Sequence, residues 1–153
     1  MKIRLLLAAL PLLLTGCQTD ADLRPATYDE LALATGHWEW VSTGYQSGNR
    51  TPATEGYSRQ LLFGAGHQLT LRRPGQPDYH TSYQLSMGTL PRCGSPAPSV
   101  PIITYSTSEP RLDNNERKTY SISQQQGRQV LSITGEAACV DGGAYETYFW
   151  VAE

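Results

Sequence analysis

The chain has little of what most chemistry-bearing sites require. Three histidines and three cysteines are scattered along it, and no cluster has metal-ligand spacing. No serine lies in a Gly-x-Ser-x-Gly elbow and no Ser-x-x-Lys occurs, so the common serine-nucleophile signatures are absent. No glycine-rich segment follows a strand and opens a helix, which leaves no phosphate cradle. Positive charge is not in excess: 12 Lys and Arg stand against 14 Asp and Glu, which argues against a nucleic-acid partner. The one continuous apolar run, Leu5 to Leu14, is too short to span a bilayer as a mature helix. No catalytic residues, cofactor or metal are therefore expected.

At the N-terminus several targeting features occur in order. Lys2 and Arg4 precede the apolar run, and small residues then lead to a cysteine in Leu14-Thr15-Gly16-Cys17. That is the layout of a secretory signal peptide. The four residues resemble the lipobox of bacterial lipoproteins, in which the cysteine is acylated and becomes the new N-terminus. The resemblance implies a signal peptide at 1–16, lipid attachment at Cys17 and a place in the cell envelope. Plain secretion with a chance cysteine is the rival reading. Cleavage would leave 137 of the 153 residues, a length suited to one domain. Lys2 and Arg4 would leave with the signal, so 10 basic and 14 acidic residues remain, a net charge of −4. Such a domain is not drawn to anionic lipid by charge, and the acyl chains on Cys17 would hold it to the membrane. Gln18 follows the cysteine where, in lipoproteins resembling this one, an aspartate favours the inner membrane; the outer membrane is expected. Residues 17–26 read as a lipidated polar tether and residues 27–153 as the folded domain.

With Cys17 assigned to lipid, Cys93 and Cys139 remain as an even pair in an oxidising compartment, where a disulfide is the default expectation. It would close a loop of about 45 residues and contribute about 4 kcal/mol in the chain-entropy account.

Thr27-Tyr28-Asp29-Glu30 has the form of a capping box, and Leu31 and Leu33 follow before Gly36, which predicts a short N-terminal helix. Everything after Gly36 reads as β. Eight strands are expected: 37–43, 56–63, 67–72, 78–86, 100–106, 118–124, 128–134 and 144–151. A long polar loop covers Gly44 to Glu55, and a proline-rich loop carrying Cys93 covers Met87 to Ser99. Pro74-Gly75-Gln76-Pro77 and Gln125-Gln126-Gly127 mark tight turns, and Glu109 to Glu116 is a charged connection. Asp141-Gly142-Gly143 reads as a turn needing positive φ, since one carboxylate is too few for a calcium loop. The fold class expected is an all-β, eight-stranded antiparallel up-and-down barrel, with a sandwich as the competing architecture.

Gly36-His37-Trp38, placed after a short helix and opening the first strand, resembles the Gly-x-Trp signature of the lipocalins. Trp40-Val-Ser-Thr, Thr51-Pro52, Gly56-Tyr57-Ser58, Leu61-Leu62-Phe63, Gly66 and Cys139-Val-Asp141-Gly142-Gly143-Ala-Tyr145 extend the likeness. Together they are similar to small lipocalin-like lipoproteins of Bacteroidetes-type bacteria, over residues 36–153. Later lipocalin motifs are not recognisable. In that family the signature tryptophan plugs the closed end beneath an arginine from late in the chain, for which Arg128 is the candidate here.

Trp38 and Trp40 share one face of the first strand, and Tyr57, Tyr83 and Tyr120 lie on others. They form either an aromatic-lined cavity for an apolar ligand or a core that fills a small barrel. His37, His67 and His80 read as scattered surface residues; a register summing to about 151 would oppose His80 to Leu71. The two long loops would lie at opposite ends. The function expected is binding without catalysis, by a membrane-anchored lipocalin-like lipoprotein holding a small apolar ligand. The alternative is a protein-binding envelope lipoprotein, inhibitory or stress-related, acting through its loops around a filled barrel.

Overall fold

The computed structural model describes residues 24–32, 35–90, 99–107, 117–136, 138 and 144–153. Cys17, Cys93, Cys139, the Asp141-Gly142-Gly143 turn and the charged connection at 109–116 lie outside the described residues, and with them the expected lipid attachment and disulfide.

The fold is all-β, one antiparallel sheet of nine strands that closes into a ring. In chain order these are β1 (Gly36–Tyr45), β2 (Gly48–Arg50), β3 (Gln60–Gly64), β4 (Gln68–Arg72), β5 (Tyr79–Gly88), β6 (Val100–Tyr105), β7 (Arg117–Gln125), β8 (Arg128–Gly135) and β9 (Tyr145–Ala152). From β3 to β9 each strand pairs with the next, and β9 returns to β1 along Gly36–Gly44. On the other edge of β1, Thr43–Tyr45 pair with β2 and Trp38–Glu39 pair with β3. The eight expected strands correspond to β1 and β3–β9, and β2 is an addition within the polar loop.

That loop also holds the one α-helix among the described residues, α1 (Pro52–Glu55). Thr51 caps it reciprocally with Thr54, Pro52 occupies its first turn, and Gly56 ends it with φ of 73°. The second long strand consequently starts at Gln60 rather than Gly56. The helix expected from Thr27 is not formed; residues 26–31 are turns. Their amides bond three residues back, Tyr28 to the Pro25 carbonyl at 3.0 Å and Glu30 to that of Thr27 at 3.2 Å. The carbonyls of Tyr28 and Leu31 accept from the Tyr120 hydroxyl and the Trp38 indole, so the sheet's side chains take the acceptors a helix would use.

The β4–β5 hairpin differs from expectation by one residue: Thr70 faces His80 and Leu71 faces Tyr79. A one-residue slip would send one strand's apolar set to the opposite face. The observed register keeps Leu69 and Leu71 on the side of Tyr79 and Tyr83, and Tyr83 is buried at the core with Leu69. The hairpin expected at Gln125-Gln126-Gly127 turns through two residues rather than three, since Gln125 pairs with Arg128, and Gln126 and Gly127 have the positive φ, 51° and 78°, that such a turn requires.

Strand polarity defines two ends. Gly36 starts β1, and the β3–β4 and β7–β8 connections and the Gly88↔Val100 pair lie at its end. The β1–β2 and β4–β5 turns lie at the Tyr45 end. The two long loops thus emerge at opposite ends, as expected. Tyr28 and Leu31, 8% and 1% exposed, join the core cluster with Trp38, which is fully buried. Gly36 makes this closure possible. Its φ is 147°, and a Cβ there would sit 2.3 Å from the Val151 carbonyl oxygen and 2.6 Å from the Trp150 ring. Gly36→Ala is expected to cost about 2 kcal/mol or more through backbone and packing strain. Gly56→Ala, whose Cβ would meet nothing within 4 Å, supplies the comparison for the positive-φ term alone. Chemical denaturation of both variants, with Gly36→Ala the more damaging, checks this.

Candidate functional site

A cavity of about 470 Å³ opens near the Tyr45 end, beside the β4–β5 turn. Leu61, Tyr105 and Tyr148, each less than 6% exposed, supply its inner apolar surface. Arg59, Arg72, Arg73 and Asp78 supply its charge. This size lies within the range of small-molecule sites, which are mostly apolar with a few placed polar groups.

The cavity wall depends on a β-bulge in β1. Trp40 pairs with Tyr148 and Ser42 with Thr147, so Val41 is the extra residue. Trp38 and Trp40 face inward before the bulge; after it the inward parity changes and Thr43 is buried at 1% exposure. Its hydroxyl oxygen accepts from Trp40 Nε1 at 2.8 Å and from Arg59 Nη2 at 2.9 Å. Arg59 Nη2 also donates to Glu146 Oε1 at 3.0 Å, and both side chains are more than nine-tenths buried. Burying two charges is tolerable only with such pairing.

The same arginine begins a column in which two stacked aromatic rings lie between two guanidinium groups. Arg59 lies 4.4 Å from the Trp40 ring centre, Trp40 stacks on Tyr57 at 5.9 Å and 22°, and Arg73 sits 3.4 Å above Tyr57. Both end members line the cavity, whereas Trp40 and Tyr57 hold them in place. At the rim Arg72 forms a two-armed ion pair with Asp78, its Nε and Nη2 within 3.3 Å of the carboxylate oxygens. That hydrogen bond and the Asp78 charge raise the Arg72 pKa.

None of the five aromatic residues expected to line a ligand cavity touches this one. Trp38 is at the opposite, plugged end, its indole on the Leu31 carbonyl at 3.0 Å and its ring edge-on to Trp150 at 5.2 Å. Tyr83 packs edge-on against Phe63 at 5.0 Å, and Tyr120 donates to the Tyr28 carbonyl. Arg128 lies over Phe149 at 5.6 Å and not over Trp38; the arginine that covers a β1 tryptophan is Arg59, over Trp40. Arg128 belongs to an exposed strand end, which explains its absence from the interior. The sequence reading did not single out the cavity residues Tyr105 and Tyr148, and the buried Arg59 and Glu146 had no signal in a reading that places charge outside.

The three histidines are apart. His37 bridges Glu39 at 3.1 Å and Glu153 at 3.3 Å and is nearly buried, His67 lies against the Tyr83 ring, and His80 meets Thr70 at 3.0 Å. Among the described residues no group of His, Cys, Asp and Glu could hold a metal ion. Ser58 donates to Glu39, as does Gln60 at 3.0 Å, so this serine meets the carboxylate rather than the imidazole.

Burial raises the pKa of Tyr120 strongly and that of Tyr83 as well, with the charge of Asp29 adding to both. Stability from these phenols is complete below the ordinary value of 10.0 and declines as pH rises toward their folded values. Alkaline titration by tyrosine difference absorbance is expected to show Tyr120 ionising only as the fold is lost, and Tyr120→Phe to weaken the fall in stability above about pH 10. A Tyr120 that titrates like an exposed phenol contradicts the burial described. Thr43→Val would leave two buried donors short of an acceptor, and a loss of about 1–3 kcal/mol in denaturant unfolding is expected. Ser42→Val on the outer side of the bulge should cost less than about 0.5 kcal/mol.

No family model, curated protein or solved structure matches this chain, so the site is defined by its own geometry.

Proposed function

We propose that this protein is a membrane-anchored lipoprotein whose closed sheet is a lipocalin-like β-barrel that holds a small apolar ligand and does no catalysis. The observation that carries the reading is the cavity of about 470 Å³ at the Tyr45 end, with Leu61, Tyr105 and Tyr148 as its inner surface. The opposite end supports it in part: Trp38 is fully buried there against the N-terminal turns, as the Gly-x-Trp resemblance implies for its tryptophan, while the late-chain arginine it also implies is not over that ring. The lipobox-like Leu14-Thr15-Gly16-Cys17 supports anchoring through an acylated Cys17 in the cell envelope, at the outer membrane. Beyond the cavity the interior is filled: Trp38, Trp40, Tyr83 and Tyr120 are all buried in the core. That filling favours a second reading, a protein-binding envelope lipoprotein acting through its loops.

Native mass spectrometry separates the two. The chain from Gln18 onward, secreted by its own host through a cleavable signal, is expected to carry a bound small molecule that denaturation releases. Bare protein throughout, with an envelope protein recovered on the anchored form, would favour the second reading and contradict the first.

A further inference from the structure

The segment that plugs the ring is also the one that leads to the expected anchor, and this step rests on the reading of Cys17 as acylated. Tyr28 and Leu31 are packed into the Gly36 end. The Leu31 carbonyl accepts from the Trp38 indole at 3.0 Å, and the Tyr28 ring lies 6.3 Å from that of Tyr120. Arg24 lies over the Tyr28 ring at 5.6 Å, so the chain enters the fold at the plugged end. The cavity is at the other end, beside the β4–β5 turn.

Covalent geometry limits how the ring can stand on a membrane. Seven residues carry the chain from Cys17 to Arg24, and in any conformation they span at most about 25 Å. β1 and β5, with ten residues each, are about 30 Å long, which in a tilted, closed sheet gives a height of about 20–25 Å. Laying the cavity mouth on the bilayer would require the link to run back along the whole ring and around its wall. That takes its entire reach, whereas the opposite orientation takes almost none. The wall offers the bilayer little hold of its own. Among the described residues the exposed large apolar side chains are Tyr145 and Val151, both on β9. From Cys17 onward 10 basic residues stand against 14 acidic ones, so charge does not draw the wall to anionic lipid. The acyl chains supply the hold, and they pull at the plugged end.

We propose that the Gly36 end is the membrane-facing pole of the anchored protein and that the cavity opens on the far side, away from the bilayer that holds it. The N-terminal turns, the Ala65–His67 turn and the β7–β8 turn form this pole. Turns expose backbone polar groups, which suit hydrated headgroups and not the hydrocarbon core. A ligand of the cavity therefore arrives through water and does not slide in from the anchoring leaflet.

The test uses the full chain, acylated in its own host and reconstituted in phosphatidylethanolamine–phosphatidylglycerol vesicles containing a lipid-borne acceptor dye. A donor dye is attached through an azide-bearing residue encoded at Gln125, at the plugged end, or at Gln76, in the β4–β5 turn; both positions are exposed. Energy transfer is expected to place the Gln125 donor nearer the lipid plane by about 20 Å. Circular dichroism of each labelled protein confirms folding. Gln68 and Asn49, exposed at the plugged and open ends, supply a second pair with the same expected sign. Equal distances from the two ends, or a nearer Gln76, overturn the orientation and leave the anchored reading standing. Protein that carries no acyl group by intact mass, or that does not stay on the vesicles, overturns the anchored reading and the orientation with it.

Discussion

The buried pair between Arg59 and Glu146 is the interaction on which the rest of the structure depends. It joins the segment entering β3 to β9 across the ring, and through Thr43 it reaches β1, which lies between them. Two charges so deeply withdrawn from water are a large cost unless their geometry is held, and here a bulge, a threonine and an indole hold it. The bulge at Val41 is what turns Thr43 inward; without it the hydroxyl would face out and Arg59 would lose one of its two described acceptors. The pair also orders the aromatic column and therefore places Arg73 at the cavity.

The two ends of the ring follow different physics. At the Gly36 end, backbone carbonyls of the N-terminal turns accept from Trp38 and Tyr120, and Tyr28 and Leu31 complete the apolar packing. Satisfying polar groups and excluding water there make that end a plug. At the Tyr45 end a cavity lies beside the β4–β5 turn, with arginines and tyrosines both in its lining.

Much of the fold was legible before the structure. The turns at Pro74-Gly75-Gln76-Pro77 and Gln125-Gln126-Gly127 are hairpins because proline fixes φ and glycine accepts the positive φ found at Gly75 and Gly127, and the shared face of Trp38 with Trp40, and of Tyr79 with Tyr83, follows from strand pleating. The burial of the adjacent Ile102 and Ile103 shows that β6 is covered on both faces, which its apolar, β-branched composition allows. Other features depended on tertiary context. Thr27 to Glu30 has a capping pattern, yet the Tyr28 carbonyl goes to the Tyr120 hydroxyl in the core, whereas Thr51 and Thr54 form a capping box without the Glu that usually signals one. The site was the least legible part. Trp38, Trp40, Tyr57, Tyr83 and Tyr120 were open to two readings, ligand cavity or filled core, and the cavity is instead lined by residues that include the buried Arg59, a type normally placed outside. The bulge that buries Thr43 adds one residue to a strand and leaves no mark in the alternation of side chains.

A double-mutant cycle on Arg59 and Glu146 tests the central role of the buried pair most directly. Arg59→Met and Glu146→Leu are each expected to cost about 3–5 kcal/mol in denaturant unfolding, because each leaves the other charge buried. The double variant should cost far less than the two combined, with a coupling of about 2 kcal/mol or more. Losses that simply add would show that the two side chains do not depend on each other, and the account given for the ring and its mouth would be wrong.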